Sequence, residues 1–204
     1  ARARRGERGV VLMGVLIVGV SGSPTVPSRT TALVAEVAGA LAGRLDGTVR
    51  VVELAPLLGS LGSGPFRGDL DADAREALDL VEQADVLVVG SPAYRATYTG
   101  LFKLFFDHVG QYALQDTPVV LTATGGSDRH ALLVEHQMRP LFGFFQALTL
   151  PLGIYASERD FLDYRIESPE LAERIATSTD RIVPVVRARL APVTSRGEVA
   201  RPAF

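Results

Sequence analysis

Residues 14–31 read GVLIVGVSGSPTVPSRTT, and this stretch decides the fold of the chain. An apolar, β-branched run at residues 15–20 leads into the small-residue segment 21–24, and a helix-like apolar pattern follows from Leu33. This order predicts a buried strand, a loop and a helix. Where such a helix begins, unpaired backbone N–H groups and the positive end of the helix dipole favour an anion. We therefore predict a binding loop for one monophosphate.

The side chains of this loop suit a phosphate. The predicted contacts are Ser21, Ser23, Ser28, Arg29 and Thr30. Hydroxyl groups donate hydrogen bonds to phosphate oxygens, and a guanidinium adds a forked full charge. The loop has neither the Gly-Lys-Ser/Thr of a Walker A loop nor the GxGxxG of dinucleotide-binding folds. A capped helix start without a ligand is the alternative, since Ser and Thr are common caps.

Composition restricts the class of protein. The 204 residues are 47% hydrophobic and 22% charged, which is typical of one globular domain with a sizeable core. The net charge of −2 argues against nucleic acid or a membrane surface as a partner. The absence of cysteine excludes disulfides, thiolate catalysis and Cys-ligated metal sites. No apolar run approaches the roughly 20 residues that a membrane span needs.

The two ends of the chain are predicted to lie outside the domain, which we place at residues 13–190. The basic start ARARRGERG precedes an apolar run, as in a signal peptide, but Gly14 and Gly19 interrupt that run. We therefore expect Met13 to be a true or alternative start and residues 1–12 to be a disordered extension. Residues 191–204 are expected to form a loose tail, and the location is expected to be cytoplasmic.

Strand and helix patterns alternate along the chain. Strands are predicted at residues 15–20, 48–54, 85–90, 118–123 and 148–155, helices at 29–44, 69–83, 100–110, 130–147 and 168–190, and loops at 55–68, 91–99 and 124–128. This alternation predicts an α/β domain with a parallel sheet that is covered by helices on both faces. The loops after the first, third and fourth strands then meet at the carboxyl edge of the sheet, where such folds bind ligands.

The second and third of these loops suit a flat ring system. The predicted contacts are Pro92, Ala93, Tyr94 and Arg95 in one loop and Thr124, Gly125 and Gly126 in the other. Tyr94 would flank the ring, while N–H groups of the Gly-rich loop would face an electron-rich edge. For a flavin, negative charge grows at that edge on reduction, and preorganised donors stabilise it. A surface tyrosine and an ordinary Gly-rich turn are the alternatives.

Other chemistries have little support in the sequence. His130 and His136 lie six residues apart, a spacing that does not place them on one helical face, so no metal site is predicted. No GxSxG nucleophile elbow occurs, which argues against a Ser–His–Asp hydrolase. Lys103 and Asp107 lie four residues apart on a predicted helix and could form an ion pair.

With these residues in view, the chain resembles the NAD(P)H-dependent FMN reductases of the flavodoxin-like superfamily. The resemblance covers about residues 14–190 and rests on GSPTVPSRT, ADVLVVGSPAYRATYTGLFKLFFD and TATGGSDRHALLVEHQMRPLFGFFQAL. Within this family, the chain is similar above all to the reductases that serve two-component alkanesulfonate and methanesulfonate monooxygenases. The resemblance implies a doubly wound, five-stranded parallel sheet in the order 2-1-3-4-5.

The resemblance also implies roles for the predicted residues. It puts the FMN phosphate among Ser23, Ser28, Arg29 and Thr30, and the isoalloxazine along residues 92–95, with residues 124–126 near its pyrimidine end. Hydride transfer from NADH or NADPH to FMN would need no side chain as an obligatory acid or base. Reduced FMN would then pass to a monooxygenase partner.

The helix predicted at residues 130–147 has a further implied role. In the family it lies at a tetramer interface, and in some members it carries a π-bulge. Alkanesulfonate-type members have Tyr at the bulge where this chain has His136, which favours the methanesulfonate type. The resemblance implies a homo-oligomer and leaves dimer or tetramer open.

The sequence leaves alternative functions open. One is a quinone, azo or metal-ion reductase that keeps its FMN tightly bound on the same fold. Another is a flavodoxin-like electron carrier, although such carriers are usually strongly acidic. A third is a phosphate-binding module without redox chemistry. The sequence does not distinguish NADH from NADPH as the electron donor.

Overall fold

The computed structural model describes residues 14–191 and centres on one parallel sheet. Its strands are β1 (Leu16–Ser21), β2 (Thr48–Glu53), β3 (Val86–Pro92), β4 (Pro118–Gly125), β5 (Leu148–Thr149) and β6 (Ile154–Ser157). Their spatial order is β2-β1-β3-β4-β5, with β6 also paired to β4, and every pairing is parallel. The predicted α/β class and strand order are confirmed.

Helices cover both faces of the sheet. They are α1 (Arg29–Leu45), α2 (Leu58–Leu61), α3 (Ala72–Glu82), α4 (Gly100–Asp107), α5 (Arg139–Phe144) and α6 (Pro169–Leu190). One apolar cluster packs α1 and α6 against residues such as Ile17 and Val88, and the other packs α2 to α5 against neighbours such as Val18 and Val89. Successive strand residues point to opposite faces, so the central strands are apolar throughout.

Two glycines allow α1 to lie close to the sheet. A Cβ on Gly90 would lie 2.5 Å from Val34 Cγ2 and 2.6 Å from Thr122 Oγ1. A Cβ on Gly19 would lie 2.7 Å from Val34 Cγ1. Larger residues at these positions would push α1 outward. The close packing places the first turn of α1, including Thr30, beside the carboxyl ends of β3 and β4.

The prediction of a single fifth strand at residues 148–155 was wrong, because two separate strands, β5 and β6, lie in this region. β5 pairs with Pro118 and Val119 at the start of β4, and β6 pairs with the last residues of β4. The interruption includes Pro151, which has no N–H to donate and a fixed φ, so the ladder cannot continue through it. β6 therefore extends two residues beyond the predicted end, to Ser157.

The helix predicted at residues 130–147 also differs. Residues Asp128–His130 form a 3₁₀ turn, Val134–Met138 form a π-helical segment, and α5 ends at Phe144. The Arg139 N–H donates to the carbonyl of Val134, five residues earlier, as a π-helix requires. The π-bulge that the resemblance implied for some family members is therefore present in this chain, with His136 in its middle.

The periodic pattern of apolar residues did not predict several short helices and strands. The predicted loop 55–68 contains the 3₁₀ turn Ala55–Leu57 and α2, and the fully buried Leu61 anchors α2 to the core. An antiparallel hairpin, β7 (Phe161–Leu162) and β8 (Arg165–Ile166), was not predicted, because two-residue strands carry no periodic signal.

The terminal segments predicted as an extension at residues 1–12 and a tail at residues 191–204 lie outside the described residues, apart from Ala191. Between residues 14 and 191, no helix combines the length and the apolar character needed to cross a bilayer. The predicted ion pair between Lys103 and Asp107 is present on α4.

Candidate active site

A cavity of about 300 Å³ opens at the carboxyl edge of the sheet. The predicted residues that line it are Ser23, Ser28, Arg29, Thr30, Pro92, Ala93, Tyr94, Thr124, Gly125 and Gly126. They follow or end β1, β3 and β4 and begin α1. The structure thus brings the three predicted loops together, while their contacts with a ligand stay a prediction.

Hydrogen bonds hold the walls of the cavity together. The hydroxyls of Thr30 and Thr124 are 2.7 Å apart, and both side chains are buried. The Ala93 N–H donates to the Thr124 carbonyl at 2.7 Å, and the Thr99 hydroxyl donates to the Gly22 carbonyl at 2.7 Å. Because each bond joins segments that are distant in sequence, these bonds fix the positions of the loops relative to one another.

The start of α1, residues 28–30, forms what we call the anion end of the cavity. Ser28 is the N-cap, and its Oγ accepts hydrogen bonds from the N–H groups of Thr30 at 3.1 Å and Thr31 at 3.4 Å. The Ser23 hydroxyl donates to the Thr25 carbonyl at 3.0 Å and closes the preceding loop. The helix dipole and the surrounding hydroxyls make this end favourable for a negative group.

The anion end also holds a pair of opposite charges. Nη2 of Arg29 lies 2.7 Å from Oε1 of Glu158, and the two side chains are 43% and 59% exposed. Glu158 begins the 3₁₀ turn Glu158–Asp160, which directly follows β6. The negative charge of Glu158 therefore offsets part of the positive charge of Arg29.

The second loop supplies an aromatic side chain to the cavity. Tyr94 and Thr97 exchange backbone hydrogen bonds of 2.8 and 3.1 Å, which close a two-residue turn. Its central residues, Arg95 and Ala96, have φ values of 49° and 71°. Turns with two left-handed residues usually contain glycine or asparagine, and the left-handed region costs other residues about 1 kcal/mol each. The strained turn places Tyr94 in the cavity wall with 51% of the residue exposed.

The two glycines of the third loop have different surroundings. A Cβ on Gly125 would overlap the hydroxyl of Tyr155 and lie 3.4 Å from the Cβ of Ala93. A Cβ on Gly126 would have no heavy atom within 4 Å. Gly125 is therefore required by the packing of the protein, whereas Gly126 leaves space open beside the cavity.

Tyr155 supports this loop from β6. Its hydroxyl donates to the carbonyl of Ser127 at 2.5 Å. Partial burial raises the pKa of Tyr155 above its usual value, and the negative charges of Asp128 and Asp160 add to the effect. The hydroxyl therefore remains protonated and able to donate over the neutral and moderately alkaline range.

Two predicted site residues are not brought into the cavity. Ser21 is buried at the end of β1, and its hydroxyl accepts a hydrogen bond from the Thr31 hydroxyl at 2.8 Å. Arg95 lies in the strained turn, exposed and outside the lining. Ser21 thus joins the first strand to α1, and a role of either residue in binding remains a prediction.

Sequence reasoning missed a fourth group of lining residues. These are Ser157, Glu158, Phe161 and Tyr164, from the end of β6 and the following hairpin. The rule that ligands bind at the carboxyl ends of parallel strands applies to β6 as well. A correct end for the fifth strand would have indicated Ser157 and Glu158, whereas the two hairpin aromatics had no signal.

A larger groove, of about 1140 Å³, lies between the π-helical segment, β6 and α6. It contains none of the predicted site residues, and charged side chains of both signs line it, including Glu135, Arg159 and Arg181. Among residues 14–191, no group of three or more His, Cys, Asp or Glu side chains is placed to hold a metal ion.

Comparison with known proteins identifies the class to which this fold and site belong. The profile of the family described as NADPH-dependent FMN reductase matches residues 15–161. The chain therefore belongs to the NADPH-dependent FMN reductase family. It is an oxidoreductase that uses FMN together with reduced nicotinamide, and the resemblance seen in the sequence is confirmed.

Individual relatives support this assignment over most of the chain. NADH-dependent FMN reductase SfnE of Pseudomonas putida is 48% identical over 169 residues, covering 83% of this chain and 91% of SfnE. An FMN reductase (NADPH) of Pseudomonas aeruginosa is 47% identical over 173 residues, covering 85% of this chain and 93% of that reductase. The solved apo structure of the NADH:FMN oxidoreductase EmoB superposes with a TM-score of 0.75 at 29% identity, covering 84% of this chain and 89% of EmoB.

Proposed function

We propose that the protein binds FMN in the cavity at the carboxyl edge, reduces it with NADH or NADPH, and releases reduced FMN to a flavin-dependent monooxygenase. Family membership supports the reductase activity. The sequence resemblance to reductases of two-component sulfonate monooxygenases supports a monooxygenase of that type as the partner. Because the relatives are named for both NADH and NADPH, either donor is compatible with the proposal.

The residues of the cavity fit FMN. The start of α1, with the hydroxyls of Ser23 and Thr30 and the charge of Arg29, suits the 5′-phosphate. The open space at Gly126 and the exposed ring of Tyr94 suit a flat heteroaromatic group. The cavity thus combines an anion end with an aromatic wall and open glycine backbone.

The work of the chain is to bind and orient. When bound, FMN supplies the acceptor for the hydride of reduced nicotinamide. Arg29 and the α1 N-terminus would fix the phosphate, and N–H groups of the Gly125–Gly126 segment would stabilise negative charge on the ring. The Thr30–Thr124 hydrogen bond holds these two parts at a constant separation. Such preorganisation costs nothing at the moment of reaction.

The proposal that the flavin is released rests on one observation, the ion pair between Arg29 and Glu158. Of the described residues that line the cavity, only Arg29 and Glu158 are charged, and they form an ion pair of 2.7 Å. A phosphate therefore meets a cation whose charge is already shared. This arrangement favours FMN as an exchangeable substrate over FMN as a tightly held prosthetic group.

We also propose a homo-oligomer, either a dimer or a tetramer, that assembles through the π-helical segment. Leu132 and Phe144, on either side of this segment, are 64% and 61% exposed, which is unusual for large apolar side chains. A cytoplasmic location is proposed because reduced nicotinamide is available there. Light scattering of the purified protein, compared with the 21.8 kDa of one chain, measures the assembly directly.

Oxidation of NADH and of NADPH by the purified protein, with and without added FMN, tests the proposed function. We expect turnover that rises with free FMN and saturates. Turnover by an already yellow protein that ignores added FMN would instead support a tightly bound quinone, azo or metal-ion reductase. The electron-carrier and phosphate-module alternatives predict no turnover, and membership of a reductase family argues against both.

A further inference from the structure

The acidic partner of Arg29 is fixed in place by the fold. Glu158 follows Ser157, whose N–H and Oγ both donate to Oδ2 of Asp160, at 2.7 and 3.0 Å. Asp160 is buried, and its carbonyl accepts hydrogen bonds from the N–H groups of Glu167 and Ser168, at the start of α6. The backbone at Glu158 is thus anchored from both sides, and its carboxylate is held beside the anion end.

This carboxylate lies where it opposes a phosphate ligand. A phosphate monoester carries a charge of about −2 at neutral pH. To reach Arg29 it must either displace the carboxylate of Glu158 or lie next to it. Displacement breaks an existing ion pair, and coexistence places like charges a few ångströms apart at the protein surface, where the effective dielectric constant is below that of bulk water.

We propose that Glu158 is a built-in competitor of the FMN phosphate, which lowers the affinity for FMN and speeds its exchange. This inference rests on the proposed function and identifies a residue that sets flavin affinity within the same cavity. Glu158 weakens binding of phosphorylated flavins only, because riboflavin has no phosphate to be opposed. Its effect lies in the affinity and release rate of FMN.

The test is Glu158→Gln, which removes the charge and keeps the size of the side chain. Binding of FMN and of riboflavin is followed by quenching of flavin fluorescence, and dissociation of FMN by stopped flow. We expect the FMN Kd to fall about tenfold and dissociation to slow by a similar factor, as charge repulsion in a half-exposed site predicts. The riboflavin Kd is expected to stay the same.

Asp180→Asn is the matched control. Asp180 pairs with Arg44, also on α1, at 2.6 Å, with side chains 65% and 32% exposed. This variant makes the same change in net charge and breaks a comparable ion pair at the far end of the same helix. We expect it to leave both flavin affinities at the wild-type values.

Three results would overturn the inference. In the first, Glu158→Gln leaves FMN affinity unchanged or weakens it, which would make Glu158 an orienting partner of Arg29. In the second, riboflavin affinity changes as much as FMN affinity, which would indicate a general change of the cavity. In the third, the wild-type protein binds no flavin, and the proposed function fails as well. A wild type that binds and reduces FMN separates failure of the inference from failure of the function.

Discussion

At the scale of single residues, Gly125 and Gly126 are expected to have different roles. The packing of the protein requires Gly125, whereas Gly126 leaves space for a ligand. Gly126→Ala adds a methyl group that meets no protein atom, so stability should stay at the wild-type value. A ligand against this backbone would lose its close approach, and we expect the FMN Kd to rise about tenfold, which corresponds to about 1.4 kcal/mol. Thermal unfolding and fluorescence titration measure the two effects.

Gly125→Ala is the comparison for that variant. Its methyl group would overlap the Tyr155 hydroxyl, and overpacking of this kind typically costs about 1–3 kcal/mol. The melting temperature of Gly125→Ala should therefore fall. If Gly126→Ala bound FMN as the wild type does, the ring would lie elsewhere in the cavity.

Tyr155 links pH to the stability of the third loop. Tyr155→Phe removes the hydrogen bond to the Ser127 carbonyl, and we expect a loss of about 1 kcal/mol in the free energy of unfolding. The pKa of Tyr155 is raised in the folded state, so this contribution is present below the ordinary tyrosine pKa of about 10 and disappears as pH rises through the folded value.

Urea unfolding of wild type and Tyr155→Phe between neutral and strongly alkaline pH measures this difference. The difference in the free energy of unfolding between the two proteins should be constant near neutral pH and should disappear at high pH. A gap that does not change at high pH would show that the loss comes from packing of the ring and has no link to ionisation.

At the scale of elements, the N-cap of α1 serves the helix and faces the cavity. Ser28→Ala removes the hydrogen bonds to the N–H groups of Thr30 and Thr31, and we expect a loss of about 1 kcal/mol in stability. Ser28→Asp keeps a capping oxygen and suits the helix dipole, so stability should be retained. Its added negative charge should nevertheless abolish the preference for FMN over riboflavin.

Urea unfolding and flavin titration of both Ser28 variants separate these effects. A Ser28→Asp variant that still preferred FMN would place the phosphate away from the α1 N-terminus. A Ser28→Ala variant of unchanged stability would mean that water or a neighbouring group replaces the cap.

Elements with strong periodicity were predictable, and elements set by local geometry were not. β3 and β4 are buried on both faces, so their apolar runs were clear in the sequence. The break of the fifth strand at Pro151 has a signal in the sequence, the proline itself, but the apolar pattern of residues 148–155 concealed it. A π-helical turn has no periodicity of its own over five residues, and only the family resemblance indicated it.

At the scale of the whole molecule, the two apolar clusters share one sheet and should unfold together. Val37→Ala, on the α1 side, and Leu78→Ala, on the α3 side, each truncate a fully buried side chain. Leu78→Ala is expected to cost about 2–5 kcal/mol, and Val37→Ala less. Near- and far-UV circular dichroism in urea should show one shared transition for each variant. A residual folded fraction after the first transition would indicate two independent units.

The candidate site was predictable from the sequence where strands end in recognisable loops. The three loops converge because parallel strands present their carboxyl ends at one edge, and their Gly, Ser, Thr and Tyr residues pointed to a phosphate and a ring. Glu158 could not be found in this way, because its position depends on the Asp160 turn after a broken strand. The pairing of Arg29 with Glu158, across more than a hundred residues, has no local signal.

The exposed anion end has a practical consequence for work with this protein. Inorganic phosphate and sulfate carry the same oxygens as the end of FMN and need only the α1 N-terminus and Arg29 for binding. In buffers or crystallisation solutions that contain them, these ions would compete with FMN and leave riboflavin unaffected. Flavin affinities are therefore best determined in a zwitterionic buffer with chloride as the counterion.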